Sequence, residues 1–351
     1  AVVVTYNPDE RVLELIERIL PQVRVCIVVD NASSAVTRAP LEEKAAKDRK
    51  ILVLWNSFNK GLGEALNQGT RRAFEEGAEW VLFFDQDSLP DSDMVAGLGR
   101  AAQAYLEQVA QGKSKPLGVL GALYREYGHE SAAESKDAAI PVLGVPTVIT
   151  SGSLVSKSAW LELGSFRSDF FIDQIDHEYC LRARARGFEV LLAMRPLFTH
   201  SIGLPRSVKV LGRTITPMNQ SPLRWYHVVR NFVWVALLYG LRERSFMKRE
   251  ASAILKRVLK VLMFEANKGA KLAAAARGFC HAWARKPSGR MRLLSEAPVT
   301  NVHGIDVSSA PGVRRHRDRL IWDLPWTLSG TDARWHRLRV LWKPKASAEK
   351  L

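Results

Sequence analysis

Asp85 and Asp87 stand two residues apart behind the apolar run Trp80-Val-Leu-Phe-Phe84. At the end of a strand that spacing sends both carboxylates off one face, where they share a hard cation directly or through water. Aspartate oxygens suit Mg²⁺ or Mn²⁺ rather than zinc. An isolated Asp-x-Asp also fits a solvated acidic turn, while Pro90, standing where a calcium loop needs glycine, excludes that loop. Asp30 closes a second apolar run, Val25-Cys-Ile-Val-Val29. A carboxylate there either accepts the N3–H of a uracil or thymine ring or caps the following turn. Asp173, Asp176 and Glu178 gather at the start of a predicted helix that ends near Gly187, a placement the helix dipole favours in any case. Behind the apolar approach Phe170-Phe171-Ile172, an aspartate of this group is partly desolvated and suited to general-base work. His200 has the chemistry of a metal ligand, a diphosphate contact or a structural histidine.

The elements that must position these groups are legible as a rhythm. Residues 1–5, 25–29, 51–55 and 80–84 are continuous apolar runs, the pattern of strands covered on both faces. Between them, 10–20 and 62–76 carry apolar residues at helical spacing. Strand, helix, strand at this interval predicts crossover connections and a parallel α/β sheet, whose ligands bind beyond the carboxyl ends of the strands. Thr5-Tyr6-Asn7-Pro8, Asp30-Asn31-Ala32-Ser33, Asn56 to Gly63 and Asp85-Gln86-Asp87-Ser88 follow the four strands, so one polar, acidic rim is expected. Further on, Thr150-Ser-Gly-Ser153 leads into a helical stretch to Gly164, and a strand over 188–192 runs on to His200. Gly61-Leu62-Gly63 lacks the third glycine of a dinucleotide fingerprint and follows the third strand rather than the first, which excludes a nicotinamide cofactor.

Taken in order, Thr5-Tyr6-Asn7-Pro8, Val29-Asp30-Asn31, Asn59-Lys60-Gly61-Leu62-Gly63, Asp85-Gln86-Asp87, Ser151-Gly152-Ser153 and Phe171-Ile172-Asp173 with Asp176-x-Glu178-x-Cys180-x-Arg182 resemble the family 2 inverting glycosyltransferases, within them the bacterial rhamnosyltransferase branch. The resemblance spans roughly residues 1–290. It implies a GT-A fold, a mainly parallel sheet with helices on both faces, and a nucleotide-sugar donor. It further implies that Thr5, Tyr6 and Asn7 line the nucleotide pocket, that Asp30 contacts the pyrimidine base, and that Asn59, Gly61 and Gly63 lie beside the nucleoside. Asp85 and Asp87 would form the metal motif with His200 near the diphosphate, Asp87 being the firmer ligand, and Asp176 would be the base. Ser151, Gly152, Asp173, Glu178, Arg224 and Arg230 are assigned by the same likeness to the acceptor or diphosphate side. Such a transfer needs charge stabilisation at the departing diphosphate and one carboxylate for the acceptor proton. No activated Ser, Cys or Lys nucleophile is evident, and a hydrolase would set two carboxylates about the scissile bond. The branch implies dTDP-L-rhamnose as donor, Asp30 would serve a UDP-sugar such as galactofuranose or a hexose equally, and the acceptor is a glycan, lipid-linked in the fullest reading.

Charge is the other signal. The chain of 351 residues carries a net +15, but residues 1–220 hold 25 Lys and Arg against 27 Asp and Glu, residues 221–290 hold 15 against 3, and residues 291–351 hold 11 against 6. Three domains follow: a catalytic body over 1–220, a basic amphipathic helical extension over 221–290, and a Trp-rich tail over 291–351 with a hairpin turn expected at 329–332. Basic helices with apolar stripes fit the surface of an anionic membrane, placing the protein at the inner face of the cell membrane. The same basicity also fits a solvated face of the core or a non-catalytic binding protein; without a zinc-finger or RNP signature, nucleic acid is set aside as partner. Three unpaired-pattern cysteines fit a reducing, cytoplasmic setting. The longest apolar run, 232–241, is about half of a membrane span. A start at Ala1 within an apolar run implies a few upstream residues.

Overall fold

The computed structural model describes residues 1–126, 139–200, 208–210, 213–215, 217–284, 313–316 and 319–322. The first half alternates as the apolar rhythm predicts: β1 (Val2–Thr5), α1 (Arg11–Ile19), β2 (Cys26–Asp30), α2 (Ala35–Lys47), β3 (Ile51–Trp55), α3 (Leu62–Glu75) and β4 (Trp80–Asp85). There follow β5 (Ser88–Pro90), α4 (Met94–Ala110), β6 (Leu117–Glu126), β7 (Val142–Gly144), β8 (Ser153–Ser156), α5 (Lys157–Leu163), α6 (Ile175–Ala185) and β9 (Glu189–His200). One nine-stranded sheet runs in the order β3-β2-β1-β4-β8-β6-β9-β5, with β7 also on β9.

The sheet is mixed. β3, β2, β1 and β4 are parallel neighbours, and β6 and β9 are also parallel to one another, but β8 runs antiparallel to β4 and β6, and β5 and β7 run antiparallel to β9. The added strands are short, and β8 is Ser-Leu-Val-Ser, an alternation rather than an apolar run. It splits the helical stretch expected after Ser153: the strand ends at Ser156, whose hydroxyl accepts from Ala159 N–H at 3.1 Å and caps α5.

Strand parity divides the core. Val2, Val4, Ile27, Val29 and Phe83 pack beneath α3, α5 and α6, whereas Val3, Cys26, Val28 and Phe84 pack beneath α1, α2 and α4. Both faces are covered, which explains why these strands read as unbroken apolar runs.

The basic segment forms α7 (Pro222–Tyr239), α8 (Arg244–Phe264) and α9 (Lys268–Ala284), preceded by β10 (Val208–Val210) and β11 (Arg213–Ile215). These helices belong to the same compact unit as the sheet, residues 1–294. Val233, Trp234, Phe246, Met247 and Ala282 join the core beneath α3 and α6. None of the helices among the described residues is long and apolar enough to cross a membrane. The second unit, residues 295–351, contains the antiparallel pair β12 (Val313–His316) and β13 (Arg319–Trp322). The turn expected at 329–332 lies outside the described residues.

Gly69 is where α3 meets the sheet: a Cβ there would stand 2.4 Å from Val2 Cγ1 and 3.2 Å from Val29 Cγ2. Gly69→Ala is therefore expected to destabilise the fold by about 1–3 kcal/mol despite the better helix propensity of alanine. Urea unfolding of the two chains measures the difference, and an unchanged midpoint would show that β1 gives way freely.

Candidate active site

Register sets four strand ends in one row. Thr5 pairs with Asp30, Asp30 with Trp55, and Val4 with Asp85. Asp30 is fully buried. Its Oδ2 accepts from Thr5 Oγ1 at 3.0 Å and from the Ser33 hydroxyl, and its Oδ1 accepts from Ser33 N–H at 3.0 Å. The carboxylate thus caps the β2–α2 turn, and its open side is covered by Arg38, whose Nε lies 4.0 Å away while its guanidinium stacks 4.2 Å above the Trp55 ring. Asn7 ties the neighbouring loop: its N–H donates to Ser33 Oγ at 2.8 Å and its Oδ1 accepts from Ser34 N–H at 2.9 Å. Tyr6 is exposed at the mouth, and its N–H donates to Gln86 Oε1 at 2.8 Å.

The Asn56–Gly63 loop is organised by Asn31. Its Oδ1 accepts from Lys60 N–H at 3.0 Å and from Asn56 Nδ2 at 3.2 Å, and its Nδ2 donates to the Gly61 carbonyl at 3.1 Å. Asn59 Oδ1 accepts from Gly61 N–H at 2.9 Å. Gly61 has φ +83°, and a Cβ there would lie 2.7 Å from the Phe171 ring; one on Gly63 would lie 2.4 Å from the Arg167 carbonyl. The two glycines let α3 start hard against the segment that leads to α6.

The acidic half of the rim is a chain of polar contacts. Ser151 Oγ donates to Asp85 Oδ2 at 3.0 Å and accepts from Asp85 N–H at 2.8 Å. Ser88 Oγ reaches Ser151 Oγ and His200 Nδ1, each at 2.9 Å, and Asp87 Oδ1 lies 3.7 Å from the same His200 nitrogen. Gly152 keeps φ +74° where a Cβ would meet Phe198 at 2.6 Å, so it shapes this turn. Burial pushes the Asp85 carboxyl up to about 6, and the neighbouring Asp87 charge adds to the rise. Ser151 and His200 oppose it, and Asp176 contributes a smaller rise. Asp176, at the start of α6, is thus near enough to Asp85 for its charge to be felt there. Among the described residues no group of three His, Cys, Asp or Glu is arranged to hold a metal ion. Asp85 and Asp87 supply two carboxylates, a number that could hold Mg²⁺ only where substrate phosphates and water complete its shell.

Ahead of α6, Phe171, Asp173 and Gln174 all have left-handed backbone, with φ of 62°, 64° and 65°. Asp173 is held by Arg224 through Nε at 3.1 Å and Nη2 at 3.2 Å. Asp176 is half-buried, and its Oδ1 accepts from His177 N–H at 2.8 Å. Glu178 and Arg230 turn away from the rim. Glu178 is buried, accepting from Arg182 at 2.9 Å and from the Tyr239 hydroxyl at 2.8 Å. Arg230 spends its guanidinium on the Asp169 and Phe170 carbonyls at 2.7 and 3.1 Å, beneath the Trp234 ring. The structure thus gathers Thr5, Tyr6, Asn7, Asp30, Asn59, Gly61 and Gly63 on one side, Asp85, Asp87, Ser151, Gly152 and His200 on the other, and Asp176 and Asp173 at the α6 start. Ser33 and Ser88, already in the expected rim, take defined places there, and Arg38 and Trp55 join them without a signal in the sequence.

Residues 1–159, which contain both halves of the rim except His200, match the family model described as glycosyl transferase family 2. The chain is 32% identical over 259 residues to the dTDP-rhamnosyl transferase RfbF of Shigella flexneri, a match covering 70% of this chain and 84% of that protein. Among solved structures, S. aureus TarS resembles it in fold with a TM-score of 0.50 at 16% identity, over 80% of this chain and 48% of TarS, so the chain spans about half of that protein. With the acidic rim, the ordered motifs and this relative in agreement, the chain belongs to glycosyl transferase family 2 and is a glycosyltransferase of GT-A fold.

Proposed function

We propose that the protein transfers L-rhamnose from dTDP-L-rhamnose to a glycan acceptor, lipid-linked at the inner face of the cell membrane, by single displacement with inversion. The observation that carries the donor is the 32% identity with a dTDP-rhamnosyl transferase across most of both chains. The same rim accommodates the UDP-sugar alternative, so binding decides the base. In this reading Tyr6, Asn7 and the Asn59–Gly63 loop surround the nucleoside, and the buried Asp30 fixes the pocket's corner behind Arg38 and Trp55.

Asp85 and Asp87 would hold Mg²⁺ or Mn²⁺ beside His200, and the ion supplies charge neutralisation at the diphosphate. Asp176 accepts the acceptor hydroxyl's proton as that oxygen bonds to the anomeric carbon. The bond from that carbon to the phosphate oxygen breaks, and the nucleoside diphosphate leaves with the electron pair. A carboxylate base of this kind contributes about 10²- to 10⁴-fold. Ser151 keeps Asp85 oriented, and Asp173 with Arg224 braces the α6 start.

The outward side of α8 carries exposed Leu255, Leu259, Leu262 and Met263 at one-turn spacing, with Lys248, Arg249 and Lys256 beside them, and α9 adds exposed Phe279 and Trp283. This supports docking on an anionic lipid surface.

Three outcomes are expected. Asp176→Asn abolishes turnover of dTDP-L-rhamnose while the thermal shift produced by dTDP with Mn²⁺ persists; retained turnover would move the base to Asp173, and a shift with UDP alone would replace the donor. Because the Asp85 carboxyl is raised to about 6 in the fold, above its unfolded value near 4, its contribution favours the fold at low pH and is lost as pH rises from about 4 through 6. Asp85→Asn should therefore raise the melting temperature in EDTA more at pH 7.5 than at pH 5; equal effects at both pH values would contradict the buried-charge assignment. Finally, the full chain should sediment with vesicles containing anionic lipid but not with neutral ones, and Leu259→Glu with Met263→Glu should abolish this. Preference for nucleic acid in the same salt would displace the membrane reading.

A further inference from the structure

The segment that presents Asp173 and Asp176 is held in an unfavourable shape from outside itself. Phe171 has φ 62° and ψ −60°, and Ile172 N–H closes on the Phe170 carbonyl at 2.7 Å, the geometry of a rare three-residue turn. Two further non-glycine residues, Asp173 and Gln174, are left-handed. Such backbone persists only where the surroundings over-determine it.

The surroundings here are two adjacent side chains of α7. Asn231, fully buried, points its Nδ2 at the carbonyls of Phe170, Ile172 and Asp173, at 2.8, 2.8 and 2.9 Å. Its Oδ1 is fixed by Arg230 Nε and Nη2 at 3.0 and 2.8 Å, and Arg230 Nη2 itself donates to the carbonyls of Asp169 and Phe170. Four of the five carbonyls from Asp169 to Asp173, all but that of Phe171, are thereby turned toward α7, and the chain that carries them has no freedom to relax into an ordinary turn.

Beyond the clamp the same segment touches the start of α3 on the nucleoside side and leads into α6. The Phe171 carbonyl accepts from Leu62 N–H at 2.6 Å at the start of α3, and the Phe171 ring stacks on His227 of α7 at 5.1 Å. On its other side the clamp feeds straight into Gln174, the residue that precedes α6, two positions ahead of Asp176.

We propose that Asn231, fixed by Arg230, is a positioning residue for the glycosyl transfer: its amide holds the Phe170–Gln174 segment in the strained form that aims Asp176 at the rim. The inference rests on Asp176 being the base. It makes α7 part of the catalytic apparatus although neither Asn231 nor Arg230 reaches the reacting atoms.

The test uses the full chain and follows turnover of dTDP-L-rhamnose, dTDP affinity and melting temperature for Asn231→Ala, Arg230→Lys and Asp176→Asn. A misplacement of about 1 Å at the base lowers kcat by about 10²-fold. Asn231→Ala is expected to show that loss while remaining folded at the assay temperature, with dTDP affinity within about threefold of wild type; Arg230→Lys shows a smaller loss of the same kind. Adding Gln174→Gly, which relieves one left-handed position, should return part of the kcat lost in Asn231→Ala. Folded variants with kcat within twofold of wild type overturn the inference, as does a loss of kcat matched by an equal loss of dTDP affinity, or a melting temperature restored by Gln174→Gly without any kcat. If Asn231→Ala does not fold, Arg230→Lys carries the same comparison. Asp176→Asn separates the two readings: if it stays active while the clamp variants lose kcat, the base lies elsewhere on the segment that Asn231 holds.

Discussion

The parallel ladder about β1 is the constraint from which the site follows. Because β1 pairs residue for residue with β2 on one side and β4 on the other, Thr5, Asp30 and Asp85 must end on one line, and whatever follows each strand must share one rim. Backbone hydrogen bonds fix that line, so the polar side chains beyond it inherit a common origin without having to find one another. A one-residue slip in either pairing would turn its strand's core residues toward the opposite layer. With Val2, Val4, Ile27 and Val29 committed to one core and Val3, Cys26 and Val28 to the other, both layers resist it.

The two carboxylates on this line, Asp30 fully buried and Asp85 half-buried, have opposite surroundings. Asp30 collects Thr5 and both donors of Ser33, so its charge is met by the protein itself. Asp85 has one hydroxyl donor on its carboxylate, that of Ser151, and a second carboxylate beside it. Burial without compensation is an unstable arrangement for an anion unless something positive completes it. The first aspartate therefore shapes the corner, and the second is the one whose charge the fold leaves partly unmet.

What the sequence made legible is what depends on short-range pattern. Continuous apolar runs announced β1 to β4, and the polar tetrads after them announced the rim. β8 and β5 were hidden because four and three residues with mixed polarity carry no period, and they acquire their strand character only by pairing with β4, β6 and β9. Glu178 and Arg230 illustrate a different limit. Both have the residue type of a site group, yet helical phase turns Glu178 toward Arg182 and Tyr239, and Arg230 toward backbone carbonyls. Residue type proposes chemistry, whereas the partner across a distance of 60 or so positions in sequence decides whether the group is free to perform it. Asn231 was silent for the converse reason: an asparagine inside an apolar helix has no motif, and its meaning lies in three carbonyls that the linear sequence cannot bring to it.

The basic helical segment is bound to the body by directional contacts rather than by apolar packing alone. Tyr239 bonds Glu178, Arg184 bonds Glu243 at 2.9 Å, and Gln174 bonds Glu250 of α8 at 3.2 Å. These part-buried links are costly to leave half-made, so they oppose displacement of the helices. The consequence is that α8 presents its lysines and leucines outward while its inner side, through Glu250, touches the segment that starts α6. If a surface docks on the outer side of α8 as proposed, it would lie one helix diameter, about 10 Å, from the residues that position the acidic rim, and an acceptor held there would need no separate device to be brought within reach of it.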